Sequence, residues 1–250
     1  MNHIIARFFQ SPKRLLLSGS LVLCFLSFAL LPVTALAATP TCAATDVKCI
    51  IQFGDQQIAN RIAALNKLSA TITEDHNKHL IDDANADSLQ ADVTTNIDGL
   101  NTLKATLDAQ TDAKAARQDV GKIYTQFRIY AVVLPRDYRR LHLAMEITVY
   151  NKLNALIEPT QRLIDNAPEN KKDELNKLFA DYKAQLSDTE SNINLAQKTW
   201  PLLTPESDNT DRPTYTTNLK NLTTYVRTAH RDLHKAGADL HKISQILKEA

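Results

Sequence analysis

Apolar residues recur along the last third of the chain with a near-perfect heptad rhythm. Leu219, Leu222, Val226, Ala229, Leu233, Ala236, Leu240, Ile243 and Leu247 are spaced alternately three and four. That rhythm holds one apolar stripe on one side of an α-helix. The helix is expected to begin near Pro213 with Asp211 as its cap, and to run for about 50 Å at 1.5 Å per residue. A second stripe joins Leu175, Phe179, Tyr182, Leu186, Thr189, Ile193, Ala196 and Trp200. Asn166 and Glu169 have capping-box spacing before it, and Trp200-Pro201 ends it. Residues 201–213, with three prolines, read as a loop.

Upstream the rhythm is looser but still helical. One face carries Ile51, Ile58, Ile62, Leu65, Leu68 and Ile72. The next carries Leu89, Val93, Ile97, Leu100, Leu103 and Leu107, with Asp87 and Gln90 as capping residues. A middle helix carries Tyr138, Leu141, Met145, Val149, Leu153 and Leu156, and Pro159 should kink or end it. Residues 124–135 are apolar all round, which predicts burial, with a short strand as the alternative to a helix. The expected fold is all-α: an elongated antiparallel bundle of about five helices with coiled-coil-like seams.

The N-terminus follows a different pattern. Arg7, Lys13 and Arg14 precede an apolar run from Leu15 to Val33, and Ala35-Leu36-Ala37 follows. These are the three parts of a secretory signal. Residues 1–37 are expected to be cleaved, leaving 38–250 as one helical domain exported to the periplasm, envelope or medium. The alternative is an anchor formed by residues 15–33, which nearly reach the ~20 residues a span needs. Cys24 lies inside the apolar run after Leu23, which excludes a lipoprotein cysteine. The remaining pair, Cys42 and Cys49, reads as a local disulfide of an exported protein. Closing that loop is expected to add about 2–3 kcal/mol.

Composition narrows the function classes. The precursor carries a formal charge of +1; without Arg7, Lys13 and Arg14 it has 26 Lys+Arg against 28 Asp+Glu, a charge of −2. Both signs are mixed along the polar faces, so no concentrated basic surface argues for nucleic acid, and no Lys/Arg-dominated face argues for a lipid surface. Gly-x-Ser-x-Gly elbows and phosphate-binding glycine loops are absent from the sequence. The expectation is a non-enzyme that needs no cofactor.

Several stretches resemble a set of uncharacterised exported helical proteins of bacteria. They are Gly54–Leu68 (GDQQIANRIAALNKL), Ile97–Asp108 (IDGLNTLKATLD), Phe127–Pro135 (FRIYAVVLP), Trp200–Glu206 (WPLLTPE) and Asp232–Lys242 (DLHKAGADLHK). The resemblance implies export and a helical fold. It carries over no functional residue.

Two patterns hint at metal chemistry. His230, His234 and His241 follow one another on the last helix, and two imidazoles four residues apart can share an ion. Arg231 stands where a zinc-protease helix has Glu, and imidazoles beside a seam otherwise serve packing. His76 and His79 lie between the first two helices and are further donors for such a site. Asp83, Asn85 and Asp87 match the first three ligand positions of a calcium loop, but Ser88 replaces its glycine and Thr94 its final carboxylate. The competing reading is an Asx-rich loop with Asp87 as a helix cap. Tyr124, Phe127, Tyr130 and Tyr138 read as a buried bundle end, with Arg128 the one charge near them.

These readings leave a structural or interaction protein of the envelope or medium as the leading expectation. Its partner is an unidentified envelope protein, self-association is open, and membrane contact comes only through an uncleaved N-terminal segment. The runner-up is an extracytoplasmic metal- or small-ligand-binding module. An envelope hydrolase has location as its sole support.

Overall fold

A computed structural model describes residues 42–249. The export signal, the expected cleavage after Ala37 and the anchor alternative at residues 15–33 lie outside the described residues. Those residues are all-α, without a strand. Five long helices are α1 (Val47–Asn77), α2 (Asp83–Asp108), α4 (Leu134–Asn154), α6 (Glu169–Thr199) and α8 (Arg212–Lys248). Three short ones are α3 (Ala113–Lys122), α5 (Ile157–Asp165) and α7 (Pro205–Thr210). Two π-helical turns, Ile123–Phe127 and Ile129–Val133, join α3 to α4.

The chain enters through a clasp. Cys42 and Cys49 sulfurs lie 2.05 Å apart, so the expected pair is formed. Asp46 caps α1 by accepting from the Cys49 N–H at 3.0 Å. Arg117 of α3 donates to the Ala43 carbonyl at 3.1 Å, fixing the entering segment to a second helix.

Local chemistry explains where several helices start, and corrects three expectations. The cap of α2 is Asp82, whose carboxylate accepts from the Asn85 N–H at 2.8 Å; Asp87 is inside the helix. Gln90 instead bonds across to Ser69 and Thr73 of α1. Asn166 does not cap α6: its amide donates to the Arg162 carbonyl and closes α5, while α6 starts after the extended Pro168. The expected loop at 201–213 contains a 3₁₀ turn, Trp200–Leu202, and α7. Thr204 and Ser207 cap α7 reciprocally, with Pro205 in its first turn, where a missing N–H costs nothing. Asp211 caps α8 as expected.

Three apolar clusters form the interior, and α4 contributes to all of them. Leu141 and Ala144 join α1, α2 and the π turns. Leu153 joins α5, α6 and the C-terminal half of α8. Leu143 joins Ile193 and Ala196 of α6 with Leu222, Val226 and Ala229 of α8. A helix covered on several sides has no single apolar stripe. This is why Val149, expected in the core, stands exposed while Asp137, Arg140 and Glu146 are buried.

Close approach demands glycine at two points. A Cβ on Gly54 would lie 2.3 Å from Leu107 Cδ2 and 2.9 Å from Val120 Cγ2. One on Gly99 would meet the Phe127 ring at 2.6 Å. Leu107 is fully buried and cannot swing away. Gly54→Val is therefore expected to lose about 2 kcal/mol through overpacking, measured as a lower urea midpoint; an unchanged midpoint would show that the α1–α2–α3 junction is loose.

Candidate functional site

The elbow between α3 and α4 is the most irregular part of the described residues. Between its two π turns Arg128 has φ 44° and ψ 40°, a left-handed backbone that a long side chain adopts at a cost. The surroundings hold it there. Arg128 Nη2 lies 2.5 Å from buried Asp208, and Nη1 donates to Asn209 at 2.8 Å. Asn209 in turn donates to the Thr125 carbonyl at 2.6 Å. Thus α7 clamps the elbow from outside while Ile123, Ile129, Val132 and Val133 anchor it from within. Helical widening and strained backbone of this kind concentrate at functional positions.

Tyr124 and Tyr130 sit one on each π turn, 42% and 50% exposed, which corrects the expectation of a wholly buried stretch. The left-handed step at Arg128 interrupts the regular angular progression, and both rings end over one cation. The Arg61 guanidinium carbon lies 4.8 Å from the Tyr124 ring centre and 5.0 Å from that of Tyr130. Arg61 is only 5% exposed. Its Nη1 donates to the Gln57 carbonyl and side chain at 2.9 and 3.0 Å. Among the described residues its Nε is buried without a hydrogen-bond partner. Burial lowers the Arg61 pKa, and the two tyrosines oppose that shift only in part. Tyr130 is held in turn by donating to the Asn60 carbonyl at 3.0 Å.

A second charged group lies under α4. Asp137 is fully buried, 2.7 Å from Arg136 Nε and 3.4 Å from Arg140 Nη1. Arg140 also bonds Asp92 and the Ser88 hydroxyl of α2 and stacks over Trp200 at 3.8 Å. Arg136 reaches Asp92 at 3.3 Å. Burial pushes the Asp137 carboxyl up from its usual range, against the pull of both arginines. The group ties α2, α4 and the corner after α6 together. Asp137 has no exposed surface through which to meet a substrate.

The histidines expected to cluster on α8 part company. His230 Nδ1 lies 2.9 Å from Glu146 of α4, His234 is exposed, and His241 pairs with Gln245 at 3.1 Å. His76 and His79 stand at the α1–α2 corner, where His76 Nε2 meets Asp83 Oδ1 at 2.7 Å. That corner holds a shallow cavity of about 420 Å³, also lined by Asp82, Thr148 and Lys152. Asp83, Asn85 and Asp87 do not form a calcium loop. They lie within α2, where residues two apart project to nearly opposite sides. Among the described residues no three His, Cys, Asp or Glu side chains converge to hold a metal ion.

The periodicity did not single out His142. It lies four residues before Glu146 on α4; burial, then Arg139 and His230, lower its pKa from 6.5 to about 4. The neutral ring therefore favours the fold. Its contribution is complete above pH 6.5 and is lost as pH falls toward 4, worth about 3 kcal/mol for that interval. His230 works in the opposite sense: its hydrogen bond to Glu146 raises its pKa, so its contribution fades as pH rises. His142→Gln is expected to flatten the acid side of a stability-against-pH curve between pH 6.5 and 4. An unchanged acid slope would assign that slope to other groups.

No helix among the described residues is long and apolar enough to cross a membrane. No family model, curated protein or solved structure matches the chain.

Proposed function

We propose that the protein is a non-enzymatic structural or interaction protein, exported by residues 1–37 to the bacterial envelope or medium. Its mature part, residues 38–250, is one domain, and its long helices form an elongated antiparallel bundle with coiled-coil-like contacts. The observation that carries this reading is the α6–α8 pair. These helices of 31 and 37 residues bury Leu175, Phe179, Tyr182, Leu186 and Ile193 on one side and Leu222, Val226, Leu233, Leu240 and Ile243 on the other. Helices of that length are about 46 and 55 Å long. They make a stiff element whose remaining faces are charged and available to an envelope partner or a second copy. The buried charges Asp119, Asp137, Arg140, Glu146, Asp208 and Asp232 are spent on internal ties, as expected of a scaffold.

Three measurements test the reading. Fractionation with N-terminal sequencing should recover a chain beginning at Ala38 outside the cytoplasm; recovery from the cytoplasm would overturn export, and an intact N-terminus in the membrane would favour the anchor at residues 15–33. Small-angle scattering should give a radius of gyration well above the about 17 Å of a compact chain of this size. Cross-linking in intact cells should return one reproducible partner or a self-adduct, and repeated recovery of neither would remove the interaction role.

A further inference from the structure

We infer that Arg61, beneath Tyr124 and Tyr130, is the anion-binding element of a small-ligand site that takes a planar organic carboxylate. This goes beyond the scaffold reading and does not depend on it. Among the described residues no carboxylate pairs with Arg61, although it is nine-tenths buried. The other buried arginine, Arg140, is paired with Asp92 and Asp137. A buried cation kept without a counter-charge is expensive, and an apolar residue of similar volume would be as stable or more so. The Nε of Arg61 is a buried donor without a hydrogen-bond partner among the described residues, on a guanidinium that lies 4.8 and 5.0 Å from the two tyrosine rings. A carboxylate is its natural acceptor, because charged hydrogen bonds are the stronger kind and a guanidinium edge matches two carboxylate oxygens.

The cover fits the same chemistry. Tyr124 and Tyr130 are the half-exposed lids of the site, carried on turns that α7 braces through Arg128, Asp208 and Asn209. Exposed side chains change rotamer within nanoseconds. Opening the cover breaks the hydrogen bond from Tyr130 to the Asn60 carbonyl and the Tyr124 contact with the Arg61 side chain, at a cost of about 2 kcal/mol. A planar ligand then lies against the rings with its carboxylate on Arg61, replacing the contact that the rings gave up.

Benzoate is the probe, with benzyl alcohol as its uncharged counterpart and sodium chloride at matched ionic strength. On the mature chain benzoate is expected to raise Tm saturably, by about 4 °C at roughly ten times its Kd. Neither control should do so. Arg61→Met should fold with an unchanged or higher Tm and lose the benzoate response. Tyr124→Ala/Tyr130→Ala, which keeps the guanidinium and alters half-exposed side chains, should weaken benzoate binding about tenfold. The inference is overturned if benzoate has no saturable effect on the native chain, or if benzyl alcohol matches it. It is equally overturned if Arg61→Met retains the response, or if that variant fails to fold while the tyrosine variant binds as the native chain does.

Discussion

Replacing Arg140 with methionine is expected to lower stability by about 3–5 kcal/mol and Tm by roughly 10 °C. The substitution keeps most of the volume but strands its partners. Asp137 loses one of two cations while remaining fully buried, Asp92 keeps only the longer contact to Arg136, and the Ser88 hydroxyl loses its donor. Removing one member of a buried ion pair costs far more than the pair is worth as a unit, because the charge left behind cannot return to water. Trp200, the only tryptophan, loses the guanidinium stacked on it. Its emission should therefore shift in the folded state as well as report the lower urea midpoint. Arg140→Lys should recover only part of the loss, since an ammonium cannot bridge two carboxylates and stack at once. A loss below about 1 kcal/mol would mean that water reaches the group and screens it.

Truncating Tyr182 to alanine should cost a similar amount, about 3–5 kcal/mol, through a cavity. Tyr182, on α6 against the end of α4, is the largest fully buried side chain among the described residues, with Phe179 stacked 6.0 Å away. Its hydroxyl donates to the Leu153 carbonyl at 2.5 Å, near the last turn of α4. Tyr182→Phe separates the two contributions. It removes the hydrogen bond, leaves the carbonyl unsatisfied, and should cost about 1–2 kcal/mol. If the two variants were equally destabilised, the ring would contribute nothing and the packing around it would have to close after truncation.

Both predictions concern positions whose importance was unevenly legible along the chain. Tyr182 stood on an apolar stripe with a rhythm of three and four, and it is buried as that rhythm implies. Arg140 stood on a helix expected to keep charges outside. It is buried because α4 is enclosed by α1, α2, α6 and α8, and its partners Asp92 and Ser88 lie 48 and 52 positions away. Periodicity registers one face of one helix; it carries no record of a counter-charge on another.

The elbow shows the same division. Residues 124–135 read as apolar and therefore buried; Ile129, Val132 and Val133 are, while Ala131 is exposed. The π turns and the left-handed Arg128 have no local signature, since a glycine would be the usual choice at that backbone. Contacts to Asp208 and Asn209, 80 and 81 positions onward, hold the arginine there. That choice turns Tyr124 and Tyr130 outward over Arg61.

Sequence alone determined the all-α class, the Cys42–Cys49 pair, the Asp211 cap and most of the buried faces of α6 and α8, though Trp200, Leu219 and Leu247 of those stripes are only half-buried. Each depends on residues within a few turns of one another, or on a periodicity that one helix imposes. Tertiary structure alone decided that His230 turns to Glu146 and that Asp83, Asn85 and Asp87 fall on different sides of a helix. It also left Arg61 buried without a carboxylate. Those outcomes depend on which helices meet and at what rotation, and the energy of a charge is set by the atoms that replace its water.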